Sequence, residues 1–182
     1  MTETQPLTGA RGAQGYAGFD PQNQALFDAH IGRATLAHQE NRLAEALDHL
    51  SEAERLLTAE QVNDPFDWSG HLDLRMCVQA SSSDLPAAAA TAARMLSSID
   101  PEPDGYPLRL QEIIQDSLVE AALIRARYLV GDPSRQDSPT ELERLLESAM
   151  RWCRRLGRDG DEQEFAGMQE RHARRGDARP DH

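Results

Sequence analysis

Apolar positions recur along most of this chain with the three-and-four spacing of an amphipathic helix, and almost nowhere with the alternation of a strand. From Pro21, the residues Phe27, His30, Ile31, Ala34 and His38 follow one another at helical spacing. Asn41 interrupts them, and Leu43, Ala46, Leu47, Leu50, Ala53 and Leu57 form a second stripe. Residues 61–69, with one proline and two aromatics, predict a loop. A third helix is expected through Leu72, Met76, Cys77 and Ala80, and the serines at 81–83 break it. Asp84 is then an N-cap with Pro86 in the first turn. Leu85, Ala88, Ala89, Ala92, Leu96 and Ile99 carry the fourth helix as far as Pro101, Pro103 and Gly105.

The second half repeats this pattern in longer units. Residues 108–130 read as one helix, ended by Gly131, Asp132 and Pro133. Ser138, Pro139 and Glu141 stand at the N-cap, N1 and N3 positions of a capping box. Leu142, Leu145, Leu146, Ala149, Cys153 and Leu156 follow, and Gly157 is placed to end that helix in the left-handed conformation. A last helix is expected over residues 161–175, with Asp161 as its cap. The expected fold is all-α: about seven antiparallel helices, as three helix–turn–helix pairs plus a C-terminal capping helix. Residues 1–20 and 176–182 read as flexible tails around one helical domain, residues 21–175.

Composition narrows the chemistry. Leu and Ala number 21 and 25, whereas Val and Ile together number only 9, so strand formers are scarce. All 19 basic residues are Arg. The lack of Lys excludes Schiff-base chemistry, a lysine general base and a lysine-bearing phosphate loop. Cys77 and Cys153 cannot complete a four-ligand thiolate zinc site and read as small buried hydrophobes. The serines at 81–83 look like turn chemistry, not a nucleophile elbow. Neither an enzyme nor a cofactor is expected. With no basic region leading into an apolar run and no apolar run of membrane length, a cytoplasmic location and no membrane partner are expected.

Charge adds an asymmetry. The net charge is −12. Residues 1–150 hold 11 Arg against 24 acids, and residues 151–182 hold 8 Arg against 7. So acidic a body repels phosphate backbones, and nucleic acid is not expected as a partner. The Arg-rich end (Arg151, Arg154, Arg155 and Arg158) suits a contact with the acidic body, either within one chain or across a homodimer of the C-terminal helices. Glu112, Asp116 and Glu120 fall at i, i+4 and i+8. Like charges at that spacing cost a few tenths of a kcal/mol per pair. The stripe is therefore either a solvated face or a surface for a basic partner or a cation. His30 and His38 lie roughly 12 Å apart along one helix, too far to share a metal, and read as groove residues. His71, between Asp67 and Asp73, reads as a turn and capping residue.

Small residues sit at the contact positions of the first helix pair: Ala34 and Ala37, then Ala46 and Ala53, with Asn41 at the turn and Leu43 and Leu50 following. The string RLAEALDHLSEAERLL has the cadence of a second repeat helix. Met76, Cys77, Ala80, Ala89, Ala93, Leu96 and Pro101 repeat the pattern more loosely. Over residues 26–101 the chain resembles a tetratricopeptide repeat. The resemblance implies a non-enzymatic protein-binding scaffold (an adaptor, co-chaperone or assembly factor) that uses the concave face lined by the first helix of each pair. On that reading the partner, a peptide segment or a basic surface, meets His30, Arg33 and His38, then Leu72, Arg75 and Gln79, then Glu112, Asp116 and Glu120. The second helices, with Glu45, Asp48, Glu52 and Arg55, present an ordinary solvated lattice. The alternative is an acidic inhibitor or immunity-type protein whose charge speeds capture of a basic target.

Overall fold

Asp20 and Asp64 each precede a proline, and each opens a helix. In the computed structural model of the chain, which describes residues 16–131 and 139–177, the Asp20 carboxylate accepts from the backbone N–H groups of Gln22 and Asn23 at 2.8 and 3.1 Å. Helix α1 (Pro21–Gln39) follows. The Asp64 carboxylate accepts from Phe66 and Asp67 at 2.9 and 3.3 Å and opens α3 (Pro65–Ser81). Both prolines stand at N1, where a missing N–H costs nothing. Residues 65–69 are therefore helical, which corrects the loop expected over residues 61–69. Between these lies α2 (Leu43–Ala59). Asp84 caps α4 (Leu85–Ser98) through the Ala87 N–H, as expected. The remaining helices are α5 (Leu108–Gly131), α6 (Pro139–Leu156) and α7 (Asp159–Asp177). The proposed cap Ser138 and the tail residues 1–15 and 178–182 lie outside the described residues.

Four corners share one turn. Asn41, Gln61, Ser83 and Gly157 have φ of 58, 53, 62 and 68°. In each, the next residue's N–H returns to a carbonyl five residues back, for example Arg42 to Ala37 at 2.7 Å and Arg158 to Cys153 at 2.9 Å. This is the Schellman closure, which satisfies the last carbonyls of a helix. Gly157 takes the role assigned to it in the sequence.

The helices stack in two rows. Each touches its neighbour in sequence, α1 touches α3, α3 touches α5 and α5 touches α7. Among the described residues the backbones of α2 and α4, and of α4 and α6, do not approach one another, and α2 meets α4 through the Glu54 and Arg94 side chains. The odd helices thus form a continuous layer, with the even helices set against it one per gap, as in a helical-hairpin array.

Alanine makes the first pair possible. Ala34, Ala37, Ala46 and Ala53 are all fully buried where α1, α2 and α3 meet. Larger clusters hold the rest, one around Met76, Met95, Ile114 and Leu118 and one around Leu129, Leu142, Leu146 and Phe165. Ala46→Leu has no room to expand into, and should cost about 1–2 kcal/mol through overpacking. Thermal melting followed by circular dichroism checks this, and an unchanged midpoint would refute the packing.

The N-terminal boundary differs from expectation. Residues 16–20, assigned to a flexible tail, are docked. Ala17 exchanges hydrogen bonds with Asn63, donating to its side-chain oxygen at 2.5 Å and accepting from its N–H at 3.0 Å. Phe19 packs on Phe27 with centroids 5.0 Å apart, and Tyr16 meets Tyr106 edge-on at 5.6 Å. Two aromatics in a Gly-rich stretch are enough apolar area to hold it down. At the other end α7 spans Asp159–Asp177, starting before its expected cap.

Candidate functional site

The free surface of α3 is a narrow strip. Gly70 is exposed, and Asp73, Leu74 and Cys77 are half-buried, spaced three and four apart. The free surface of α5 carries Arg109, Glu112, Ile113 and Asp116 exposed, with Glu120 half-buried. Since α3 and α5 touch, the two strips share one face of the odd layer. On it Asp73 lies within the field of both Asp116 and Glu120. Its Oδ1 is buried with no hydrogen-bond partner among the described residues. Burial, followed by the two neighbouring acids, pushes the Asp73 carboxyl up to about 6. Cys77, one turn along, is pushed up to about 11 by burial and then by Asp73. Such a thiol stays protonated at neutral pH and is a poor nucleophile.

Arg158 answers two of these acids, Asp116 and Glu120. From the α6–α7 corner it donates to Asp116 Oδ1 at 2.8 Å, to Asp161 Oδ2 at 2.5 Å and to Glu120. The Asp161 carboxylate therefore holds Arg158 and is not the cap of α7. Arg155 pairs with Glu102, Arg154 with Glu162 at 2.6 Å and Arg127 with Glu164 at 2.8 Å. The Arg-rich end thus meets acidic groups within its own chain. Glu112 is exposed and has no ion-pair partner among the described residues.

The nine residues assigned to a partner surface divide sharply. Glu112, Asp116 and Glu120 do lie together on the free face of α5. Leu72, Arg75 and Gln79 do not join them. Leu72 is fully buried in the core, so it is no surface contact. Arg75 reaches back to Glu54 of α2 at 3.0 Å, and Gln79 accepts from the Thr91 hydroxyl of α4 at 2.7 Å. These three point toward the even helices. The reason is rotational: α3 is buried over most of its circumference, and Arg75 and Gln79 lie on a different side of it from the Gly70–Asp73–Cys77 line. On α1, His30 shares a hydrogen bond with His49 of α2 at 3.3 Å, and burial, then the second ring, lowers its pKa. His38 contacts the Ser81 hydroxyl at 2.9 Å. Only Arg33 of that trio is exposed.

A second constellation was not anticipated. Glu54 accepts from Arg75 and Arg94, and His71 Nε2 stands 3.6 Å from it. Burial raises the Glu54 carboxyl, but the Arg94 hydrogen bond and charge outweigh this and lower it overall. His71 is fully buried, with Trp68 edge-on at 6.1 Å. Desolvation exceeds the pull of Glu54 and drives it down to about 4, so the ring is neutral. Arg94 also lies over the Trp68 ring, 5.0 Å from its centroid, and Trp68 donates to the Val62 carbonyl at 2.7 Å. A cleft of about 310 Å³ opens beside this stack, between Tyr16, Trp68, Arg94, Ile99 and Asp100. The clue in the sequence is Glu54 itself, an acid directly after Ala53 on the edge of the apolar line Ala53–Leu57.

Among the described residues no group of three or more His, Cys, Asp and Glu side chains could hold a metal ion. No helix there is long and apolar enough to cross a membrane. No family model, curated protein or solved structure matches the chain.

Proposed function

We propose that the protein is a non-enzymatic interaction module of tetratricopeptide-like build, and that it receives a basic segment of a protein partner on the free face shared by α3 and α5. The observation that carries this reading is the uncompensated Asp73. Its carboxyl lies in the field of Asp116 and Glu120, its Oδ1 has no donor among the described residues, and Arg158 is spent on those two acids and Asp161. A guanidinium or ammonium group docking on this face would relieve the repulsion among the three carboxylates through its charge. Leu74 and Ile113 flank the acids and offer apolar contact. The partner is an adaptor client or an assembly subunit in this reading. Captured basic toxins or enzymes, the immunity-type alternative, would use the same acids with a steeper dependence on salt.

Charge reversal tests it. Glu112→Arg with Asp73→Asn should weaken partner capture tenfold or more, about 1.4 kcal/mol. Reversing Glu45 and Glu52 on α2 should leave it unchanged. Quantitative affinity capture from native extract, read against the melting temperature of each variant, measures both. Loss of capture on the α2 changes alone would sink the proposal. An association rate that collapses with ionic strength selects the steered alternative.

A further inference from the structure

Helix α1 is apolar on two opposite sides. Its inner side places Phe27, Ala34 and Ala37 in the core. Its outer side exposes Ala25, Leu26, Ala29, Gly32 and Leu36, with Leu26 at 45% and Leu36 at 51% of full exposure. A Cβ added at Gly32 would meet nothing within 4 Å. Helices that are apolar all round are normally covered, and the end of a helical array normally turns a polar face outward. Among the described residues this end does neither.

The charges beside the stripe indicate what covers it. With Ala29 and Leu36 at a and Ala25 and Gly32 at d of a heptad, Asp28 falls at g and Arg33 at e. In a parallel pair of helices a g residue meets the e residue five positions later on its partner, and e–g ion pairs set partner choice. Asp28 and Arg33 are five apart and opposite in charge. Both are exposed. Arg33 has no ion-pair partner among the described residues, and Asp28 accepts from the Gln24 amide at 2.9 Å. A two-fold axis along α1 would therefore make both Asp28–Arg33 pairs at once. The small residues at 25, 29 and 32 let the two axes approach to about 8 Å. Because α2 packs on the inner side of α1, the two bodies would diverge from the seam.

We propose that this outer face binds a second copy of the chain, α1 against α1 in parallel about a two-fold axis. A single helix face is small, below the roughly 1,200 Å² of standard specific interfaces, so the association is weak and reversible. The proposal is independent of the α3–α5 face, which stays open in such a dimer.

Sedimentation velocity of the full chain, from about 1 to about 500 μM, tests it. The expected result is a shift from monomer to dimer with a midpoint at tens of micromolar. Leu36→Glu should raise that midpoint at least tenfold without lowering the melting temperature of the monomer. Arg33→Asp alone should weaken association by about tenfold, and adding Asp28→Arg should restore it. A chain that stays monomeric throughout overturns the proposal. So does a dimer that ignores Leu36→Glu, or one that the charge swap fails to rescue.

Discussion

Between pH 6.5 and pH 4, the Asp73→Asn protein should lose stability while the His71→Leu protein gains it. The two groups are shifted in opposite senses. Asp73 sits near 6, against about 3.9 in an unfolded chain. In the window between those values the native state keeps a proton that the unfolded state has released. The Asp73 contribution is therefore fully present below about pH 4 and lost as pH rises through 6. His71 sits near 4, against about 6.5 unfolded. Here the unfolded state takes the proton first. Its contribution is present above about pH 6.5 and lost as pH falls through 4. At about 1.4 kcal/mol per unit, each is worth on the order of 3 kcal/mol, somewhat less for Asp73, which is half-buried. In the natural chain the two slopes largely cancel between pH 4 and 6. Removing either one exposes the other. Urea midpoints at half-unit pH steps measure the slopes, and variants that both track the parent curve would show that neither shift exists.

Glu54→Gln should destabilise the protein by about 3 kcal/mol, a fall of roughly 6–12 °C in Tm for a domain of this size. The substitution keeps the shape and removes the charge that Arg75 and Arg94 share. Glu54 is 24% exposed and Arg75 25%, so neither charge is fully relieved by water. Arg94, at 47%, can swing out to solvent, which keeps the loss below that of a wholly buried triad. Replacing Glu54 and Arg75 together by Leu and Met should cost less than the single change, because no half-buried charge is then left alone. A single variant that melts within a degree of the parent would mean the network is only surface decoration.

How far these features were legible in the sequence depends on how local their causes are. Asp84 with Pro86, and Gly157, are punctuation whose meaning is complete within four residues, and both fall where the sequence places them. Asp64 with Pro65 carries the same signal as Asp20 with Pro21. It was hidden because Phe66 and Trp68 made the segment look like an aromatic loop; their rings instead turn inward from the first turn of α3. The paired-helix pattern and the acid stripe on α5 were readable because each depends on one helix's own periodicity. The α3 contribution was not. Which side of α3 stays free depends on four neighbouring helices, α1, α2, α4 and α5, and periodicity gives a helix's apolar side without saying how wide its burial is. Arg75, expected on the partner surface, instead reaches Glu54 of α2, and Asp73, two residues away and given no such role in the sequence, lies near the α5 acids. The Arg-rich end was legible as one partner of a contact. Its acceptors, Glu102, Asp116 and Glu120, come from α5 and the segment before it.

The two-row stacking has a consequence for how the chain comes apart. The helix–helix contacts join near neighbours along the array, so α3 and α5, each touching four other helices, are held from both sides, whereas α1 and α7 are each held from only one. Cooperativity in such a chain is graded by position. Backbone amides of α3 and α5 should exchange with solvent only on global opening, and those of the outermost helices through fraying that leaves the middle intact. The acidic face lies across the two helices expected to be slowest, and the proposed α1 seam on one expected to be among the fastest. Whatever docks on α3 and α5 meets a surface already rigid in the free protein, whereas pairing through α1 would clamp the end that breathes most.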